Sequence, residues 1–181
     1  MKVNPKYLVP LTILVSALGY FVDIYDILLF SIVRQASLAS LGVSPEQSLD
    51  VGLSILNWQV GGLILGGILW GAIGDKKGRL SVLFFSILLY SLANFLNGYI
   101  VSVEQYKWCR FIAGIGLAGE LGAGITIVSE IMSKQKRGYG TMIISSVGML
   151  GAVFAAIIGL NLPWQTAYKI GGILGFLLLA L

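Results

Sequence analysis

The feature that most constrains this chain is a succession of apolar segments, each close in length to a membrane-spanning helix. A helix that crosses the hydrocarbon core of a bilayer needs about 20 consecutive, mostly apolar residues. Such segments in this sequence predict helices over these approximate ranges: 7–33, 51–74, 80–101, 106–132, 139–160 and 167–181. The sequence therefore predicts an all-α polytopic membrane protein, with residues 1–181 forming one six-helix transmembrane bundle.

The composition agrees with a chain that faces lipid. Hydrophobic residues make up 57% of the sequence and charged residues 11%, whereas soluble domains carry about 25% charged residues. The net charge of +4 does not indicate nucleic-acid binding, because the basic residues lie in short clusters between the apolar segments. The single cysteine and the lack of histidine remove the usual zinc ligands and the commonest general base. We therefore expect no cofactor, no metal and no enzymatic activity.

The basic residues also predict an orientation. The amino-terminal segment and the connections after helices 2 and 4 carry eight lysines and arginines, and the opposite side carries four. Since basic loops stay in the cytoplasm, the N-terminus is expected to be cytoplasmic, in a multi-pass protein of the cell (inner) membrane. The last apolar segment rises only about 22 Å as a helix, less than the hydrocarbon thickness of about 30 Å. We therefore expect the chain to end inside its sixth helix; a short sixth helix is the alternative.

The connection between helices 2 and 3 has a specific pattern of glycines and charges. It reads Gly71-Ala-Ile-Gly-Asp75-Lys76-Lys77-Gly78-Arg79. Gly78 can adopt a positive φ, which permits a tight reversal between two long helices. Asp75 at a helix end and Arg79 at a helix start both oppose the helix dipole, so we expect each to have a partner elsewhere. An ordinary basic cytoplasmic turn is the alternative interpretation.

This G-x-x-x-D-K-x-G-R spacing resembles the signature loop of the major facilitator superfamily. Helix 4 carries a similar R-x-x-x-G-x-G pattern at Arg110, and its end resembles the family's E-x-x-x-x-x-x-R-G segment. The resemblance implies half of a transporter, with a second six-helix half, absent here, or a second copy of the chain as partner. It also implies an ion-pair cluster that gates the cytoplasmic side, although independent solvated charges would fit the same pattern. The residues assigned to this gating motif are Gly71, Asp75, Lys76, Gly78, Arg79, Glu130 and Arg137.

Charged residues inside the apolar segments are the candidates for substrate or proton binding. Asp23 and Asp26 are three residues apart and so lie on one face of helix 1. An ionised carboxylate at this depth is costly and normally faces a cavity or a partner. The segment Asp23-Ile-Tyr25-Asp26 is similar to the helix-1 motif of proton-coupled organic-anion and phosphate members of the family. In the alternative interpretation, one aspartate reaches the membrane interface.

Helix 4 contributes two further candidates, Arg110 and Glu120. They are ten residues apart, or about 15 Å along a helix, which is too far for a direct pair. Asp23 or Asp26 is therefore a candidate partner for Arg110, unless Arg110 extends to the outer interface. Several polar positions could line a transport path, although residues of this kind more often make a helix–helix hydrogen bond. These positions are Tyr25, Asn57, Gln59, Asn94 and Asn97.

The combined pattern predicts a secondary active transporter that couples a small polar or anionic metabolite to protons by alternating access. Its expected partners are the lipid bilayer, protons, the small-molecule substrate and the second half or second copy. Two other functions stay open: a half-size protein that works as a homodimeric transporter, and a channel or facilitator without proton coupling. The sequence does not distinguish an organic acid, phosphate or a sugar as substrate.

Overall fold

A computed structural model describes residues 5–131 and 137–180, with side chains for 13–120 and 138–180. The described residues form a bundle of six helices, which confirms the predicted all-α membrane fold. The helices are α1 (Pro5–Ser40), α2 (Ser48–Lys77), α3 (Arg79–Asn97), α4 (Val103–Ile131), α5 (Arg137–Asn161) and α6 (Trp164–Leu179).

Helix α1 is longer than the sequence pattern predicted. We expected it to end near residue 33, before the charge of Arg34, but it continues to Ser40. The extra turns are stabilised because Ser37 and Leu38 are fully buried against the bundle. The chain then turns at Gly42, whose φ of 81° few other residues adopt readily.

Within the described residues, four helices are long and apolar enough to cross a membrane. They are α2, α3 and the parts of α1 and α5 at residues 13–40 and 138–161. Helix α6 has 16 residues, which makes it short for a span. Helix α4 is long enough but contains Arg110 and Glu120 in its interior. This helix carries much of the polar character of the bundle.

Glycines let the backbones of α4 and α2 come into direct contact. A Cβ atom at Gly62 would overlap the carbonyl oxygen of Phe111, and one at Gly114 would overlap that of Gln59. Helix α5 approaches α1 similarly, since a Cβ atom at Gly151 would overlap the carbonyl oxygen of Phe21. Close contact of this kind is characteristic of membrane helices, which associate through small residues. It joins α2 to α4 and α5 to α1 through their backbones.

The contact between α2 and α4 can be tested with two alanine substitutions on α2. We expect Gly62→Ala to lower the free energy of unfolding by about 1–3 kcal/mol, because the two backbones must separate to admit a methyl group. Gly67→Ala on the same helix is the matched control, since nothing lies within 4 Å of its Cβ position. Thermal unfolding of the purified protein in detergent measures both. Equal melting temperatures for the two variants would contradict the close contact.

Candidate functional site

The centre of the bundle contains an ion pair between α1 and α4. Arg110 donates from Nη1 to Asp26 Oδ1 at 2.6 Å and from Nη2 to Asp26 Oδ2 at 2.8 Å. The arginine is 0% exposed and the aspartate 1% exposed. Two parallel hydrogen bonds are the strongest geometry that a guanidinium and a carboxylate can form. Arg110 is therefore occupied by Asp26 and does not extend to the outer interface.

Neutral groups from α2, α3 and α6, and a further residue of α1, complete the surroundings of this pair. Gln59 of α2 donates from Nε2 to Asp26 Oδ2 at 3.5 Å, and Asn94 Oδ1 of α3 accepts from Arg110 Nη1 at 3.4 Å. The guanidinium also lies 5.6 Å from the ring centroid of Phe30 and 5.7 Å from that of Tyr168. Aromatic faces stabilise a buried cation in this position. The pair is thus enclosed by residues of α1, α2, α3 and α6.

A pair of carboxyl groups lies beside the Arg110–Asp26 ion pair. Asp23 of α1 and Glu120 of α4 are 1% and 5% exposed, and the Glu120 carboxyl lies against Gly19, one helical turn from Asp23, so that the two carboxyl groups are neighbours. None of their four oxygens accepts a hydrogen bond from a described donor. Two ionised carboxylates are acceptors only, so a hydrogen bond between them requires one of them to be protonated. The geometry therefore suits a proton shared between two helices.

Gly19 makes room for the second pair. A Cβ atom at this position would overlap Glu120 Oε1. Gly19 precedes Asp23 by four residues and so lies on the same face of α1, one turn away. The absence of a side chain lets the Glu120 carboxyl reach the surface of α1. The sequence pattern did not point to Gly19, although its i, i+4 spacing from Asp23 is a signal that could have done so.

A row of hydroxyl groups extends from Arg110 along the interface of α1, α4 and α6. Tyr168, beside the guanidinium, shares a 2.7 Å hydrogen bond with Tyr106, whose hydroxyl lies 3.4 Å from that of Ser37. The sequence does not point to these three residues, because nothing in their spacing links helices so distant along the chain. Tyr25, a predicted site residue, is fully buried and donates to the carbonyl oxygen of Ala167 at 2.7 Å. This contact is a helix–helix hydrogen bond between α1 and α6.

The remaining polar candidates differ in where they lie. Asn97 is buried on α3, and neither its Nδ2 nor its Oδ1 has a hydrogen-bond partner among the described residues. Asn57 is exposed on α2 and lies outside the cluster.

The predicted gating residues whose side chains are described lie in the last turns of α2 and at the turn into α3, away from these carboxyl groups. Gly78 has a φ of 86°, as its position predicted, and its amide donates to the carbonyl of Gly74 at 3.0 Å. Gly71, Asp75, Lys76 and Arg79 are exposed there. The side chains of Glu130 and Arg137 lie outside the described residues. The ion-pair cluster that joins them to the turn stays a prediction.

Comparison with known proteins agrees with the fold. The family model of the Major Facilitator Superfamily matches residues 13–181. The chain belongs to the major facilitator superfamily. It is 35% identical over 166 residues to a protein of Haemophilus influenzae provisionally named a metabolite transport protein, with 86% of this chain and 38% of the relative covered. It is 28% identical over 167 residues to the niacin transporter NiaP of Acinetobacter baylyi, with 88% of this chain and 36% of the relative covered.

A solved structure of the superfamily shows the same arrangement of helices. The proton:xylose symporter XylE bound to 6-bromo-6-deoxy-D-glucose superposes with a TM-score of 0.84 at 16% identity. The superposition covers 98% of this chain and 44% of XylE. The chain thus spans less than half the length of these superfamily members. These relatives are transporters and not enzymes, which confirms the expectation that this chain is not an enzyme. The family also places this chain among multi-pass membrane proteins.

Proposed function

We propose that this chain is one half of a proton-coupled secondary transporter for a small polar or anionic metabolite. The observation that carries the proposal is that the buried carboxyl groups of Asp23 and Glu120 are neighbours between α1 and α4, with no described hydrogen-bond donor on either of them. Ionisable residues at this depth of a membrane bundle are costly and typically mark ion or substrate paths. The niacin transporter among the relatives supports an organic acid as the first substrate to test.

The charges around the site provide a physical reason for coupling. Asp23, Asp26 and Glu120 supply three carboxyl groups, and within the described cluster Arg110 alone supplies a positive charge, already held by Asp26. An anionic substrate that approached the deprotonated site would meet uncompensated negative charge at low dielectric. Protonation of the Asp23–Glu120 pair removes part of that charge. We infer that the proton binds first and permits the anion to bind after it.

Alternating access in this proposal is the rocking of a rigid half against a partner. Inverted or parallel repeats around a central site are a common architecture of secondary transporters. The backbone contacts at Gly62, Gly114 and Gly151 favour motion of the bundle as one body. The partner would be a second six-helix half or a second copy, because superfamily relatives are more than twice as long as the aligned region. The turn at Gly78 and the predicted residues Asp75, Arg79, Glu130 and Arg137 would gate the cytoplasmic side.

The proposed setting is the inner membrane, with the N-terminus in the cytoplasm. The support for this orientation is the excess of lysine and arginine at the N-terminus and in the connections after α2 and α4. The bilayer, protons and the transported solute are then the partners that the function requires.

Uptake by the full-length transporter, reconstituted into proteoliposomes, tests the proposed coupling. We expect radiolabelled nicotinate to accumulate when the external solution is more acidic than the lumen, and to stop accumulating when an ionophore removes the gradient. Xylose in parallel vesicles tests a neutral substrate by the same readout. Protein-free vesicles control for passive entry of the protonated acid. Protein-dependent uptake that is identical with and without the gradient would contradict proton coupling.

A further inference from the structure

An apolar groove runs between α2 and α3 on the outside of the bundle. Its volume is about 450 Å³, and its lining includes Trp70 and Ile73 of α2 and Phe85, Leu88 and Leu92 of α3. Lys77 is the charged residue in this lining and lies at one end of it, as the last residue of α2. The groove therefore combines an apolar lining with one positive charge at its end.

The floor of the groove is held in place by α4. Trp70 donates from Nε1 to the carbonyl oxygen of Ile115 at 2.6 Å. Gly119 of α4 packs against the same indole, since a Cβ atom there would lie 2.8 Å from Trp70 Cδ1. The indole thus fills the space beneath α2 and α3 and leaves a preformed cleft above it.

The groove opens away from the candidate site. Gly119 and Arg110 are nine residues apart on α4, which is two and a half turns and so places them on opposite faces. Phe85 is 53% exposed and Leu92 46% exposed along the rim. In a membrane-spanning bundle such apolar rims face the acyl chains of the bilayer.

The dimensions and charge of the groove match one leaflet of a bilayer. From the start of α3 to Leu92 the helix rises about 20 Å, compared with about 15 Å for half of the hydrocarbon core. Lys77 is exposed, and no described residue forms an ion pair with it. A lysine at this boundary attracts anionic headgroups in the leaflet that it faces.

We propose that this groove binds an anionic phospholipid, with its phosphate at the Lys77 ammonium group and one acyl chain between α2 and α3. A soluble metabolite would not match a lining that is apolar along its whole length apart from its end. A partner helix would leave Lys77 without an opposite charge unless it supplied a carboxylate there. A single anionic phospholipid places an acyl chain along the apolar lining and a negative charge at the Lys77 ammonium group.

Native mass spectrometry of the delipidated protein tests the site, with phosphatidylglycerol and phosphatidylcholine of the same acyl composition as probes. We expect phosphatidylglycerol to bind more tightly, and Lys77→Gln to reduce its advantage about fivefold, the equivalent of about 1 kcal/mol for one lysine near the membrane surface. Lys76→Gln is the matched control, since Lys76 is exposed but does not line the groove. Equal effects of the two variants, or equal affinity of the wild type for both lipids, would overturn the proposal.

A second pair of variants tests the acyl-chain part of the groove. We expect Leu88→Trp to lower the occupancy of both lipids severalfold, because the larger side chain fills the cleft. Leu96→Trp on the same helix should leave occupancy unchanged, since Leu96 is 50% exposed and lies outside the lining. Unchanged lipid occupancy in Leu88→Trp would overturn the placement of the chain. A monodisperse gel-filtration peak for each variant confirms that it is folded.

Discussion

Arg110→Gln is expected to lower the free energy of unfolding by about 3–5 kcal/mol, the usual cost of leaving one member of a buried ion pair without its partner. The arginine is 0% exposed and bonds to Asp26 through both terminal nitrogens. Without it the Asp26 carboxylate keeps only the 3.5 Å hydrogen bond from Gln59 among the described donors. Thermal unfolding in detergent, with denaturant titration where it is reversible, measures the loss.

The double variant Asp26→Asn with Arg110→Gln distinguishes a specific pair from two independent losses. We expect it to recover most of the stability, because two neutral amides can hydrogen-bond to each other and to Gln59. Lys107→Gln is the control on the same helix: its ammonium lies 3.9 Å from Glu104, whose side chain is 63% exposed, so its removal should change stability by less than about 1 kcal/mol. A double variant less stable than either single variant would contradict the coupling between Asp26 and Arg110.

Glu120→Gln and Asp23→Asn are each expected to lower gradient-driven accumulation of substrate at least tenfold while exchange across the membrane continues. An amide cannot take up and release a proton, so the variant retains a neutral site but loses the coupling step. We expect these effects because the two buried carboxyl groups are neighbours and accept no hydrogen bond from a described donor. Accumulation under a pH gradient and equilibrium counterflow, measured on the same proteoliposomes, separate coupling from binding.

Asp50→Asn is the matched control for this experiment, because it makes the same chemical change at an exposed position near the start of α2. It should leave both accumulation and counterflow at the wild-type level. Loss of counterflow in Glu120→Gln together with loss of accumulation would assign Glu120 to substrate binding. Full accumulation in both site variants would exclude the pair from coupling.

Much of the fold was predictable because it depends on local patterns. Apolar segments long enough for a membrane determine helices wherever backbone polar groups must be satisfied internally. Gly78 marked the reversal between α2 and α3, and its φ of 86° confirms that expectation. The end of α1 was predicted too early, because the burial of Ser37 and Leu38 depends on helices that follow much later in the chain.

The partners within the site were only partly predictable. The spacing placed Asp23 and Asp26 on one face of α1, and it showed that Arg110 and Glu120 could not pair with each other. Both aspartates were then candidate partners for Arg110. The structure places Asp26 against Arg110 and Asp23 against Glu120, so the two aspartates serve different partners.

The sequence by itself determined that this is a six-helix membrane bundle with costly charges in its interior, because apolar length and residue type are local properties. Tertiary structure decided which charges meet. That choice depends on how far α1 and α4 are shifted along each other's axes, and on the space that Gly19 leaves for the Glu120 carboxyl. Neither quantity is encoded within a single helix, since both arise from the close packing of helices distant in the chain. The result is one closed ion pair beside one carboxyl pair that can share a proton.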